Sequence, residues 1–400
     1  MSPAFSSSPE NHLNWLPERP SRIAVGMSGG VDSSAIAYML KEMGHEVVGL
    51  TAWTLNGPGT CCNDALVNAG RVCEALGCEF DTVDLRAEFH HYVMDYYEKS
   101  YQAGLTPNPC VECNRYVKWE RLVDYAQEAL NCEYIATGHY LSMRRPQGEA
   151  GDFTIHRAVD ERKDQTYMLA RVFPKDLKRA LFPLGLWQKA DVLAYAKERG
   201  IIESSYKESV DVCFVLDGQA NYLKGVLGEK TGPIVDIETQ EILGTHQGHW
   251  LFTKGQRKGL GVAAGVPIYV IKTDALTNTV YVGSSIHLES TTFKLKRMNW
   301  FKPPRAQELD AVMIKVRYAG QPTLGTLRPD PAGTAGEDYV VTLQAPQHAI
   351  TPGQIAAIYD ASFQQLLGGG YIDAMLVHEA FDASHAPALP DLNAACDIVK

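Results

Sequence analysis

Two groups of residues in this chain could do chemistry. The first is the pair Cys110 and Cys113 in TPNPCVECNRYVKW (106–119), which a distant third cysteine, Cys213 in VDVCFV (210–215), can meet only through the fold. A Cys-x-x-Cys pair can hold a metal, close a disulfide or carry sulfur. Apolar Val117, Leu122, Val123, Ala126 and Leu130 recur at helical spacing. That pattern predicts a helix starting at Cys113, where the dipole would lower the thiol pKa and make the sulfur a better nucleophile. The second group is SGGVDSS (28–34), between the apolar run RIAVGM and a predicted helix reaching Met43. Backbone amides around Ser28 to Ser33 then point outward at a helix start, where an anion is favoured. Gly29 and Gly30 let a phosphate come close. Ser28, Ser33 and Ser34 add hydroxyl donors, and Asp32 could orient the loop or help hold Mg2+ on a leaving pyrophosphate. The run is neither a Walker A loop, lacking the Gly-Lys-Ser/Thr ending, nor a G-x-G-x-x-G fingerprint. A plain turn capped by Asp32 or Ser33 would need no Ser-Gly-Gly run.

The elements that must position these groups follow from the pattern. From Arg22 to about Thr137, short apolar strands (RIAVGM, EVVGLTAWTL, EFDTVDL, YIAT) alternate with longer helical segments, which predicts a doubly wound parallel α/β sheet with its functional loops at the carboxyl ends of the strands. HYLSMRRPQGEAGDFTIHRAV reads as a hairpin around a Gly-rich turn, and KDQTYMLARV and WQKADVLAYAKERG read as helices. After Gly232 short strands with frequent Gly and Pro dominate, predicting a small β-rich central domain and a C-terminal β-barrel. The expected divisions are a disordered tail over 1–20, a catalytic domain over 21–216, a central domain over 217–290, a barrel over 291–380 and a second tail over 381–400.

Composition narrows the classes. The chain has 400 residues, 45% hydrophobic and 21% charged, as in ordinary globular proteins, and its length favours more than one domain. No apolar run approaches the ~20 residues that span a bilayer, and the N-terminal stretch lacks a basic start and apolar core, so a cytoplasmic location with no membrane partner is expected. Nine cysteines, an odd number, make a poor disulfide framework. A net charge of −10 argues against loose binding of nucleic acid but leaves room for a specific RNA on local basic patches, of which KGQRK (254–258) and KLKR (294–297) are the best. Such runs are more often solvated faces.

SGGVDSS resembles the PP-loop of the ATP pyrophosphatases, which split ATP into AMP and pyrophosphate to activate an oxygen. TPNPCVECN (106–114), ATGHY (136–140), KDQTYML (163–169), VDVCFV, GTHQGHWLFTKGQRKGLG (244–261), KVRYAG (315–320) and TPGQ (351–354) further resemble, in that family's order, the tRNA-specific 2-thiouridylases (the MnmA/TrmU group). The resemblance implies adenylation of the C2 oxygen of the wobble uridine in tRNAs of the Lys, Glu and Gln type, then replacement of that oxygen by sulfur from a donor protein or persulfide relay. It implies ATP contacts at Gly26, Met27, Ser28, Gly29, Gly30, Val31, Asp32, Ser33, Ala52 and Gly138. Ala52 stands where the family commonly has Met, which weakens an adenine contact by that side chain. The same carry-over places Asn108, Pro109 and Cys110 beside the target base, and His139, Asp164, Gln165, Thr166, Arg317, Tyr318 and Gln354 against tRNA. Arg317 and Tyr318 would supply a phosphate clamp and a stacking face.

In the resembling family the cysteine matching Cys213 carries a persulfide, and the one matching Cys113 releases its sulfur while forming a transient disulfide. Cys110 departs from the family, many members having Asp there. Cys110, Cys113 and Cys213 are therefore also candidate ligands for a [4Fe-4S] cluster with one open iron or, less favoured, part of a zinc site. Cys73, Cys78 and Cys132 read as small packing residues, and Cys61 and Cys62 receive no role. Two rival readings are another AMP-forming PP-loop ligase, such as a GMP synthetase, and a non-catalytic RNA-binding protein. The first would call for an amidotransferase region and the second for a damaged loop; neither is seen. Because the loop lacks the P-loop lysine that favours β,γ chemistry, the products of ATP are expected to be AMP and pyrophosphate. Thin-layer chromatography of labelled ATP with substrate tRNA checks this, and accumulation of ADP would overturn it.

Overall fold

The computed structural model describes residues 14–55, 61–145, 152–201, 212–262, 265–304 and 308–373. Its first unit is a parallel sheet of β1 (Arg22–Gly26), β2 (Glu46–Trp53), β3 (Glu79–Asp84), β4 (Tyr134–Ala136) and, after a hairpin of β5 (Leu141–Arg144) and β6 (Thr154–Arg157), β7 (Ala180–Leu181). The order is β3-β2-β1-β4-β7, every pairing parallel. Direction of progression therefore reverses between β1 and β4, and the crevice at their carboxyl ends is where such sheets bind ligands. β1 and β4 are central and read as unbroken apolar runs because both faces are covered.

The expected doubly wound sheet is thus present, and so are the β-rich parts that follow. β8 (Gly232–Asp236), β9 (Ile242–His246), β10 (Tyr269–Asp274) and β11 (Thr279–Gly283) form a small sheet around Ile234, Val270, Val280 and Val282. His249 ties this sheet to the first unit, one ring nitrogen meeting the Gln102 carbonyl at 3.0 Å and the other the Asn278 side chain at 3.1 Å. Six further strands, β12 (Glu289–Trp300), β13 (Leu309–Lys315), β14 (Thr323–Pro329), β15 (Tyr339–His348), β16 (Ile355–Tyr359) and β17 (Gln365–Ile372), close into an antiparallel barrel through the pairing of β12 with β17.

The barrel is welded to the first unit by strand pairing. Gln365 and Leu366 of β17 pair with His156 and Ile155 of β6, so the β5–β6 hairpin extends the barrel sheet. β16 is buried on both faces, and its period-two alternation divides two cores. Ile355, Ala357 and Tyr359 join the core of the first unit with Trp119, Tyr167 and Phe182, whereas Ala356 and Ile358 face the barrel interior with Val312, Ile314 and Val341.

Three expectations are corrected. KDQTYMLARV was expected as a helix, yet only Thr166–Leu169 makes a helical turn. Nδ2 of barrel residue Asn299 donates to the carbonyls of Ala170 (3.2 Å) and Val172 (2.9 Å), acceptors that a continuing helix would need. The 1–20 tail is too long: Asn14 donates to the Phe182 carbonyl at 2.8 Å, the Trp15 amide bonds the Met143 carbonyl at 2.7 Å, and Leu16 is buried. The 381–400 tail lies outside the described residues. Finally, the cysteine helix begins at Pro109, with Asn108 as its cap accepting from the Val111 amide at 3.3 Å. Asn at the cap with Pro at the first helical position is a strong start signal. Cys113 therefore lies a full turn inside the helix, and Cys110 is the residue in the first turn.

Candidate active site

The phosphate loop follows β1. The Met27 amide bonds the Leu50 carbonyl at 2.8 Å, and Thr51 Oγ1 donates to the Met27 carbonyl at 3.0 Å, fixing the loop to β2. Gly29 has φ of +69°, and a Cβ there would sit 2.4 Å from Ala65 Cα, so both conformation and space demand glycine. The helix Val31–Glu42 starts from Gly30 with no side-chain cap. Ser33 is turned inward: its Oγ accepts from the Ser28 amide at 3.2 Å and donates to the Gly30 carbonyl at 3.1 Å. Ser34 Oγ also donates to that carbonyl, at 3.0 Å. Two of the three predicted hydroxyl donors thus brace the loop.

Asp32 has partners that the sequence did not reveal. Lys189 Nζ donates to both carboxylate oxygens at 2.7 Å, and the Tyr140 hydroxyl donates to Oδ1 at 2.9 Å. Lys189 opens the helix Lys189–Glu198 and Tyr140 follows β4, so the pair ties three segments together at the loop. In this arrangement the charge of Asp32 is matched by the Lys189 ammonium. Gly138 approaches so closely that a Cβ would lie 3.2 Å from Asp32 Cβ. Lys189 gave no sequence signal, being one lysine in an amphipathic helix.

His139 is buried. Its Nδ1 lies 2.8 Å from Thr137 Oγ1 and its Nε2 lies 3.0 Å from Asn114 Oδ1. Asn114 Nδ2 donates to the Cys110 carbonyl at 2.9 Å, which leaves Oδ1 as acceptor and assigns the ring proton to Nε2. Nδ1 then accepts from Thr137. Burial, with Lys118 adding to it, holds the imidazole pKa well below its usual value. The chain Thr137–His139–Asn114 thereby fixes the cysteine helix against the end of β4.

These groups meet in one cavity of about 480 Å3. Its wall includes the loop residues Gly26, Met27, Ser28, Asp32 and Ser33, then Ala52, Pro109, Cys110, Cys113, Gly138, His139, Gln165 and Cys213. The phosphate loop and all three singled-out cysteines are thus brought together. Cys213 stands on a turn in which the Val215 amide bonds the Val212 carbonyl at 3.0 Å, anchored by buried Phe214 among Phe89, Tyr97 and Tyr222. Cys110 opens to the cavity but is ringed by protein atoms; desolvation pushes its thiol up, opposed by Lys118. Cys113 is half-buried and Cys213 exposed. Among the described residues no group of three or more His, Cys, Asp or Glu side chains is placed to hold a metal ion, so the cysteines as they stand do not form a cluster or zinc ligand set. Cys73 and Cys132 are buried, as packing residues should be; Cys78 is half-buried, and its thiol falls to about 7 through hydrogen bonding to Cys73. The side chains of Cys61 and Cys62 lie outside the described residues.

The remaining predicted contacts lie away from the cavity. Asp164 is buried, accepting from the Ala158 amide (3.1 Å) and Thr166 Oγ1 (2.8 Å), and Thr166 is fully buried against the Tyr359 hydroxyl at 2.9 Å. Gln354 Nε2 donates to the carbonyls of Thr106 and Pro107, both at 3.1 Å. Arg317 and Tyr318 are exposed on a turn after β13, and Tyr318 lies 6.1 Å from the Tyr167 ring. Of the two basic patches, KLKR has two of its three charges matched: Lys294 pairs with Asp330 at 2.9 Å and Lys296 with Asp338 at 3.0 Å, while Arg297 is exposed. In KGQRK, Arg257 and Lys258 are exposed.

A parallel sheet with an uncapped Gly-rich loop at its switch point, facing three free cysteines across one cavity, is the arrangement of a PP-loop, ATP-using enzyme. Family models match in three consecutive spans: a tRNA methyl transferase HUP domain over 21–217, a tRNA methyl transferase PRC-barrel domain over 220–284 and an aminomethyltransferase beta-barrel domain over 290–372. The tRNA-specific 2-thiouridylase MnmA of Synechococcus sp. (strain JA-3-3Ab) is 40% identical over 359 residues, covering 89% of this chain and 95% of the relative. That of Chloroflexus aurantiacus (strain ATCC 29366 / DSM 635 / J-10-fl) is 40% identical over 360 residues, covering 88% and 98%. The chain belongs to the tRNA-specific 2-thiouridylase family. Among solved structures, the U34-tRNA thiolase NcsA from Methanococcus maripaludis with its [4Fe-4S] cluster is 19% identical, covering 52% of this chain and 66% of that one with a TM-score of 0.35, too low to bear on mechanism.

Two outcomes are expected. Asp32→Ala strands the Lys189 ammonium, so it should cost about 2 kcal/mol in denaturant unfolding. The double variant Asp32→Ala/Lys189→Met should recover most of that stability and none of the turnover. The depressed His139 pKa means that below about pH 6.5 the unfolded chain takes up a proton that the folded one refuses. Stability should be complete above that pH and fall progressively below it, and buried His156, lowered to about 4, acts in the same direction. Melting temperatures compared at pH 7.5 and pH 5.5 should show the fall, shallower in His139→Gln.

Proposed function

We propose that this chain adenylates the C2 oxygen of the wobble uridine of tRNA with ATP and replaces that oxygen by sulfur, giving 2-thiouridine. The observation that carries the reading is the single cavity shared by the phosphate loop, Cys113 and Cys213. The loop amides take the pyrophosphate end of ATP, and the base, swung out of its stack, enters beside Asn108 to Cys110. Mg2+ arrives on the nucleotide phosphates, since Asp32 is already paired with Lys189. Arg317 and Tyr318 hold the tRNA from outside, and the turn bearing Asp164, Gln165 and Thr166 backs them through Tyr167. Because Asp164 and Thr166 are buried, their part is to shape that surface.

The sulfur step is balanced as follows. A donor protein leaves a persulfide on Cys213. Its terminal sulfur attacks C2, the C2–O bond breaks, and AMP leaves with the electron pair. Cys113 thiolate then attacks Cys213 Sγ, releasing the thiocarbonyl of 2-thiouridine and leaving a Cys113–Cys213 disulfide that an external dithiol reduces. Cys110 needs no covalent part in this route. A [4Fe-4S] route would need all three cysteines as ligands.

Nucleoside mass spectrometry of tRNA incubated with the protein, ATP and a sulfide or persulfide source tests the reading, and no 2-thiouridine at the wobble position would overturn it. Cys113→Ser and Cys213→Ser should each abolish product with an almost unchanged melting temperature, while Cys110→Asp keeps much of the activity. Iron and sulfide analysis after anaerobic purification checks the route: a near-stoichiometric cluster, lost together with activity in all three Cys→Ser variants, would replace the persulfide mechanism.

A further inference from the structure

The cavity takes a nucleoside triphosphate and a polynucleotide, yet among the described residues only one Lys or Arg side chain lines it, Lys118. Lys118 is half-buried and, among the described residues, makes no hydrogen bond or ion pair. Its placement has a local cause. The helix that starts at Pro109 changes over Cys113–Arg121 to i→i+5 winding before resuming ordinary winding at Leu122. In an ordinary α-helix a residue five positions on lies about 140° around the axis. The wider turn brings Lys118 above Cys113, on the cavity side; such insertions recur at functional sites. Lys118 is close enough to Cys110 and His139 for its charge to act on both. The other ammonium near the loop, Lys189, is committed to Asp32.

We infer that Lys118 is a catalytic residue of the adenylation step, its ammonium holding the non-bridging oxygens of the α-phosphoryl group as that group passes from pyrophosphate to the uridine C2 oxygen. This rests on the 2-thiouridylase reading above. A lone pair of the C2 oxygen forms the new bond to the α-phosphorus. The bond from that phosphorus to the bridging oxygen breaks, and its electron pair leaves on pyrophosphate. The N3 proton of the uracil passes to solvent, and Lys118 stays protonated throughout. The loop amides serve the departing end of ATP; Lys118, on the cysteine helix, serves the receiving end, where the phosphoryl charge must be met until AMP is displaced.

Single-turnover pyrophosphate release with full-length protein, ATP and wobble-uridine tRNA tests the assignment. Lys118→Met should slow release about 100-fold, the usual loss for one transition-state donor, and Lys118→Arg should recover much of it. The alkylation rate of Cys113 by iodoacetamide should fall far less than the rate of release. Wild-type release speed in Lys118→Met would overturn the inference, as would unchanged release with slowed alkylation, which would assign the cation to sulfur. If Lys118→Met does not fold, Lys118→Gln judged against Lys118→Arg gives the same contrast. TRNA-dependent release by wild type is the separate control: its absence sinks the functional reading, whereas its presence with no effect of substitution sinks only the role of Lys118.

Discussion

The segment from Thr106 to Asn114 is suspended between two bodies, and the arrangement of the cavity depends on that suspension. On the barrel side the Thr106 amide bonds the Pro352 carbonyl at 3.0 Å, Gln354 takes the next two carbonyls, and the Tyr371 hydroxyl meets buried Glu112 at 2.7 Å. On the nucleotide side Asn114 is held by His139. Every one of these polar groups is partly or wholly out of water, so breaking one leaves a desolvated partner, at about 1–3 kcal/mol each. The cysteines inherit their position from this double attachment more than from their own contacts. Gln354 shows the effect well. Its amide sets the backbone that carries the reactive residues.

Electrostatics follow the same economy. In a chain of net charge −10, the fixed charges near the loop among the described residues are an internally matched pair, Asp32 with Lys189, and the Lys118 ammonium. Attraction at long range is therefore weak, and selectivity rests on short contacts, amides and hydroxyls that act only on a correctly seated ligand.

The sequence made much of this legible where local physics decides the outcome. SGGVDSS declared its loop because no other use of that run is economical, and the alternation of strands and helices declared the sheet. The β-rich textures after Gly232 were equally plain. What stayed hidden was decided by tertiary partners. Lys189 looks like any helix-surface lysine until the fold brings it to Asp32. KDQTYMLARV carries helical propensity that Asn299 overrides by taking its carbonyls. KLKR reads as a fully basic patch because Asp330 and Asp338, the partners of its two lysines, lie beyond local view. The start of the cysteine helix was an avoidable miss: Asn108-Pro109 carried the signal. Its change of winding at Cys113 has no sequence rule, and with it went the role of Lys118.

The graft of β6 onto β17 also orders the assembly of the molecule in time. A nascent chain completes the parallel sheet and its hairpin long before β17 is synthesised, so β6 waits with one row of backbone donors and acceptors open to any passing strand. The barrel, for its part, has no finished seam until β17 reaches both β12 and β16. This strand is therefore the rivet for both halves. A ribosome stalled or a chain truncated just before Gln365 would release a molecule with an intact nucleotide fold, an unclosed barrel and a sticky edge, the kind of intermediate that chaperones exist to shield.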